Sequence, residues 1–140
     1  MLRVTADTNT IISGVTFRGG KPFQFLDLAR SGQINPTVSD AILEEMEDVL
    51  RRKFPFSESD IAETRRRINS IARTVTPAIV LDVVKEDPDD NRILEAAVAA
   101  GSDYIVTGDK DLLRLKRYNG IRIVNVSDFL ELFHQQERQM

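Results

Sequence analysis

Apolar residues in this chain fall into two kinds of run. Short, nearly unbroken stretches rich in β-branched residues occur at Leu2 to Ala6, Ile34 to Val38, Ile79 to Val84, Tyr104 to Val106 and Ile121 to Val124, and each predicts a buried strand. Between them the spacing turns helical. Phe25, Leu26 and Ala29 follow Pro22. Ile42, Leu43, Met46, Val49 and Leu50 form one compact arc on a helical wheel. Ile61, Ile68, Ile71 and Ala72 make a narrower stripe, and Ile93, Leu94, Ala97 and Val98 another, with Phe129, Leu130 and Phe133 near the end.

The punctuation agrees with these elements. Ile11-Ile12 predicts a helix starting directly after the first strand, while Gly14 and Gly19-Gly20 predict a flexible loop. Gly32 terminates the next helix, and Pro36 within the second apolar run counts against reading it as a strand. Ser39 is a good N-cap for a helix to about Arg52, and Ser57 with Asp60 forms a capping arrangement after Phe54-Pro55-Phe56. Asp87 reads as an N-cap with Pro88 in the first helical position and Asp89 and Asp90 in the first turn. A short helix from Leu112 to Leu115 leads through a Tyr118-Asn119-Gly120 turn to the last strand, and Ser127 caps the final helix. Strands alternating with helices imply an α/β fold, a mainly parallel sheet covered on both faces, in a single domain spanning residues 1–140.

Composition narrows the chemistry. Lys+Arg number 19 and Asp+Glu 22, a mixed-sign balance with formal net charge −3 that does not advertise nucleic-acid binding. There is no cysteine and only one histidine, His134, which removes thiolate zinc, cysteine nucleophiles and a histidine-centred triad. No apolar run approaches the roughly 20 residues of a membrane span, and Met1-Leu2-Arg3-Val4 lacks the apolar core of a signal peptide. A soluble cytoplasmic protein is the expectation.

Acids then stand out by position. Asp7 ends the first strand, Asp109 and Asp111 follow the fourth, and Asp87, Asp89 and Asp90 open the helix before it. Ligands in open α/β sheets bind at the carboxyl ends of strands, where such residues gather. Glu45 and Glu47 flank the apolar arc of the third helix, one on each side, and both are candidates; Glu44 faces away. Helix capping explains each aspartate singly, but not acids placed after several different strands. The run Arg65-Arg66-Arg67 spreads around its helix and reads as solvated charge more than as a phosphate contact.

Asp7-Thr8-Asn9, Ser39 followed by Glu45, Asp87-Pro88-Asp89-Asp90 and Thr107-Gly108-Asp109-Lys110-Asp111-Leu112 occur in that order. Together they resemble the PIN domain, in the group of VapC-like ribonucleases that serve as toxins of toxin–antitoxin systems. The resemblance runs from Leu2 to about Leu132. It implies a three-layer α/β/α sandwich and a metal-dependent endoribonuclease acting on RNA. It also implies an acidic quartet of Asp7, Glu45, Asp90 and Asp109 as catalytic, metal-holding residues, with Asp111 accessory, and so selects Glu45 over Glu47. Asn9 and Thr107 match small polar positions that orient carboxylates.

All-oxygen ligands without thiolate or clustered imidazole favour Mg2+ or Mn2+. Lys110, Arg114, Lys116 and Arg117 are candidates for sequence-blind contacts to an RNA backbone. An antitoxin protein is the partner the resemblance implies, and a homodimer stays open. The competing readings are a receiver-like phosphoacceptor, which would need an acid pair where only Asp7 stands, and a catalytically weak or silent PIN-like module acting through protein or RNA binding.

Overall fold

The computed structural model describes residues 1–138. Its strands are β1 (Arg3–Ala6), β2 (Asn35–Ser39), β3 (Arg73–Val75), β4 (Tyr104–Val106), β5 (Arg117–Tyr118) and β6 (Ile121–Val124). They form one sheet in the order β3-β2-β1-β4-β6-β5, parallel throughout except for the β5–β6 hairpin. The helices are α1 (Thr8–Thr16), α2 (Lys21–Arg30), α3 (Asp40–Lys53), α4 (Glu58–Ile71), α5 (Asp90–Ala100), α6 (Lys110–Leu115) and α7 (Val126–Arg138).

β1 shows why helices lie on both faces. Val4, Thr5 and Ala6 are all buried, although successive strand side chains point to opposite sides. α5 packs on β1, β2 and β4. On the opposite face Ala6, Pro36 and Val38 meet Ile11 and Phe25 of α1 and α2 and Ile68 of α4. Phe129 of α7 joins the same core, edge-on to Phe25 at 5.5 Å and to Tyr104 at 5.6 Å between ring centroids. The result is the expected α/β/α sandwich. Among the described residues, no helix is long and apolar enough to cross a membrane.

Several local expectations change. Pro36 sits inside β2, opposite Val4 of β1, yet β3 pairs only from Thr37 onward, so the missing proline N–H removes no ladder bond on that side. Gly14 lies within α1, not in a loop. A Cβ there would stand 2.6 Å from Leu26 Cδ1 and 2.8 Å from the Pro22 carbonyl, so glycine permits the close crossing of α1 and α2. The Asn119-Gly120 turn has positive φ at both residues and closes the β5–β6 hairpin, whose first strand the sequence pattern does not reveal. Asn125, not Ser127, caps α7 by accepting the Asp128 N–H at 2.8 Å; Ser127 instead accepts from Lys21 Nζ at 2.9 Å.

The run Ile79 to Val84 is not a strand. The edge beside β2 is taken by Arg73–Val75, a polar segment that pairs through its backbone. Val80 is 87% exposed and Ile79 52%, while Val84 is buried. Side chains of α5 take the hydrogen bonds that a neighbouring strand would have taken, as Glu95 accepts the Leu81 N–H at 2.8 Å and Asn91 those of Val83 and Val84. α5 itself begins at Asp90, after a tight turn through Pro88 and Asp89 in which the Asp87 carbonyl accepts the Asp90 N–H at 3.0 Å.

The chain runs from β1 outward to β2 and β3, then crosses through α5 to β4 on the other side of β1. The strand order therefore reverses between β1 and β4, and a crevice opens beyond their carboxyl ends.

Candidate metal centre

Asp7 follows β1 directly, its N–H bonded to the Val106 carbonyl of β4 at 3.0 Å, so the reversal point holds it. One of its oxygens caps α1 by accepting the Thr10 N–H at 2.9 Å, and the other accepts the hydroxyl of Thr107. Thr107, fully buried, also accepts the Asp109 N–H at 2.9 Å. A single hydroxyl thus links the acids that follow β1 and β4. Asp109 caps α6 through one oxygen, Oδ1, which takes the N–H groups of Asp111 at 2.7 Å and Leu112 at 3.3 Å. Capping and site geometry coexist, because a carboxylate that caps a helix keeps lone pairs free.

Glu45 reaches the same crevice from α3, whose N-terminus follows β2 at Ser39. The wheel places Glu45 and Glu47 equally at the edge of the apolar arc, and tertiary partners separate them. Thr8 donates to Glu45 Oε2 at 3.2 Å, whereas Glu47 pairs with Arg65 at 2.7 Å. Asp90 occupies the first turn of α5 and is 7% exposed. Asp7, Thr8, Asn9, Glu45, Asp87, Asp89, Asp90 and Asp109, with Ile93, line one pocket of about 60 Å³. Asp87, Asp90 and Asp109 each present an oxygen within 4.8 Å of the others.

The electrostatics of this group are unbalanced. Asp90 Oδ2 is buried and has no hydrogen-bond partner among the described residues. Burial first, then the charges of Asp109 and Asp87, push the Asp90 carboxyl up to about 8. Asp87 is raised by burial and by Asp109, although its carboxylate also takes the Asp89 N–H. Glu45 is raised by burial and by Asp89, partly offset by the Thr8 hydroxyl. An orphaned carboxylate oxygen among mutually repelling acids is what a hard divalent cation would satisfy, so the residues present fit such an ion.

All four acids of the expected quartet border the pocket, but two further features were not legible in the sequence. Asp87, which reads mainly as a helix cap, stands with Asp90 and Asp109. Thr8, not Asn9, donates to Glu45; Asn9 is exposed and makes no hydrogen bond to a carboxylate among the described residues. Asp111 is half-buried behind Asp109 and pairs with Arg114 at 3.2 Å. Lys110, Arg114, Lys116 and Arg117 are exposed, but Arg117 of β5 pairs with Arg122, level with Tyr104 at the amino end of β4. The arginine run is not free for a ligand as a set: Arg65 pairs with Glu47 and Asp40, and Arg66 and Arg67 with Glu63.

The family model of the PIN domain matches residues 3–111, a span holding every acid of the pocket. The chain belongs to the PIN domain family. An uncharacterized protein of Methanocaldococcus jannaschii is 30% identical over 128 residues, which cover 89% of this chain and 81% of that protein. Among solved structures, VapBC2 from Rickettsia felis, in a crystal structure bound to a DNA fragment from its promoter, matches with a TM-score of 0.60. That match is 14% identical and covers 89% of this PIN domain and 98% of the matched chain, so it supports the fold.

Proposed function

We propose that this PIN domain is a Mg2+- or Mn2+-dependent endoribonuclease, the toxin of a toxin–antitoxin pair. The observation that carries the reading is Asp90, which has a buried, unpartnered oxygen and presents a carboxylate oxygen within 4.8 Å of those of Asp87 and Asp109 at the reversal point of a PIN fold. Asp87, Asp90 and Asp109 would hold a divalent ion, with Asp7 and Glu45 on the flanking walls of the pocket. A bound ion of this kind supplies Lewis-acid stabilisation of a phosphoryl group and a water that ionises near neutral pH.

The protein's own part is orientation. Thr107 fixes Asp7, the α6 N–H groups fix one oxygen of Asp109, and Thr8 turns Glu45 toward the pocket. Burial and neighbouring carboxylates raise both Glu45 and Asp90, so each would hold a proton more readily than a free carboxyl until a cation offsets the charge. Lys110, Lys116 and Arg117 are exposed cations that follow Asp109 closely in the chain, of the kind that meets phosphates without reading bases. The similarity to a VapBC2 structure, together with the motif resemblance, supports an antitoxin as partner.

Purified protein is expected to cleave single-stranded RNA with Mg2+ or Mn2+, and Asp7→Asn and Asp90→Asn to lose that activity with circular dichroism unchanged. Undiminished cleavage by the folded Asp90→Asn protein would sink the metal site.

A further inference from the structure

The segment from Leu81 to Pro88 brings Asp87 to the acid pocket while belonging to neither strand nor helix. Asn91, only 1% exposed, holds it. Its Oδ1 accepts the N–H groups of Val83 at 2.8 Å and Val84 at 2.9 Å. Its Nδ2 donates to the carbonyls of Val84 and Pro88, both at 3.0 Å. These four bonds use the two N–H groups and both oxygen lone pairs of a carboxamide, and they fix which way the amide faces. Aspartate would offer no donors to the two carbonyls, and a serine hydroxyl could replace only one or two of the bonds.

Two of the anchored residues, Val84 and Pro88, bracket Lys85, Glu86 and Asp87. Upstream, the ion pair of Arg92 and Glu95 grips Leu81 from both sides, with Glu95 on its N–H at 2.8 Å and Arg92 on its carbonyl at 3.3 Å. The bracket therefore ends one residue past Asp87, and its anchor on α5 is the residue after Asp90. Helix and loop are tied together at the point where their carboxylates meet.

We propose that Asn91 is a positioning residue. Its carboxamide fixes the loop from Val84 to Pro88 and thereby sets the Asp87 carboxylate beside Asp90 and Asp109. The consequence for cation binding rests on the metal reading above; the bracket itself does not.

A double-mutant cycle on the full chain tests it, with Mn2+ affinity measured calorimetrically for wild type, Asn91→Ala, Asp87→Asn and the double variant. Asn91→Ala should weaken Mn2+ about 10- to 100-fold, the range for residues that orient ligands. In the Asp87→Asn background the same change should cost little, because both act through one carboxylate. Full additivity, or unchanged Mn2+ affinity in folded Asn91→Ala, would overturn the role.

Amide exchange in the metal-free protein provides the second readout. Val83 and Val84 should exchange about tenfold faster in Asn91→Ala while the β1 and β4 amides keep their protection. Asn91→Ser, which keeps part of the network, replaces Asn91→Ala if the latter does not fold. Should wild type take up no Mn2+, the metal reading falls, and exchange decides the bracket: local acceleration sustains it, and unchanged Val83 and Val84 rates refute it.

Discussion

A concavity of about 470 Å³ lies among α1, α2 and α4, lined by Gly14, Arg18, Phe23, Arg30, Arg67 and Ile68 among others. The acid pocket at the carboxyl edge of the sheet is far smaller, about 60 Å³. The larger space is nearly self-sufficient: Arg30 pairs with Asp27 and stacks over the Phe23 ring at 5.0 Å, and Arg67 pairs with Glu63. The smaller one is not. It gathers carboxylates from both sides of the strand-order reversal, leaves one oxygen of Asp90 unpartnered and pushes that carboxyl up to about 8. Volume marks where something could fit, whereas unsatisfied charge marks where a particular chemistry is built.

The sharpest way to break this contrast is to neutralise one acid and one arginine and compare. Asp90→Asn should lower kcat/KM for RNA cleavage by about a thousandfold or more, since it would remove a ligand of the ion that stabilises developing charge. Arg67→Ala should leave cleavage within about twofold. Equal losses in the two variants would erase the distinction.

Removing the divalent ion comes next. If the acid pocket alone depends on it, Mn2+ at about a hundred times its Kd should stabilise the folded protein by about 2.7 kcal/mol, and a chelator should withdraw that gain. Thermal unfolding with and without Mn2+ measures it, and Asp90→Asn should respond far less.

The metal-free protein should also show the repulsion directly. The folded Asp90 carboxyl, near 8, binds its proton more tightly than the unfolded chain, whose ordinary value is 3.8. Stability should therefore fall as pH rises from about 4 to about 8, with Glu45 and Asp87 acting in the same direction. Denaturant titrations at pH 5 and pH 8 without metal read the slope, and Asp90→Asn should flatten it.

Smaller effects separate neighbours. Glu45→Gln should reduce activity about 10- to 100-fold, while Glu47→Gln should leave activity and loosen only the α3–α4 contact through Arg65. Smallest of all, Arg18→Ala in the larger concavity should change stability by no more than about 0.5 kcal/mol in denaturant melts.

Much of this architecture is legible in the residues. Tyr104 to Val106 is apolar throughout because its strand is covered on both faces, and Ser39 caps α3 as its position before a helical arc implies. Local pattern misjudged Ile79 to Val84 because β-propensity describes a residue's fitness for a sheet, not whether a sheet edge is vacant. β3 took that edge with Arg73-Thr74-Val75, and the apolar run was left to the side chains of α5. Gly14 misled for a related reason: the sequence shows a helix breaker, while the fold uses the missing Cβ to admit Leu26.

The sequence by itself determined the order of strands and helices apart from β3 and β5, and the placing of acids at their junctions, since periodicity and capping are properties of a few neighbouring residues. Only the tertiary structure decided which acids meet. It tied Glu45 to Thr8 at the pocket and committed Glu47 to Arg65, where the helical wheel alone could not separate the two. It also set an oxygen of Asp87, which the sequence reads mainly as a cap, within 4.8 Å of oxygens of Asp90 and Asp109. That last step needed the buried Asn91 amide to tie down a loop that neither hydrogen-bond ladder holds. A carboxylate's partner across the sheet is set by packing, and packing is not written in any one stretch of chain.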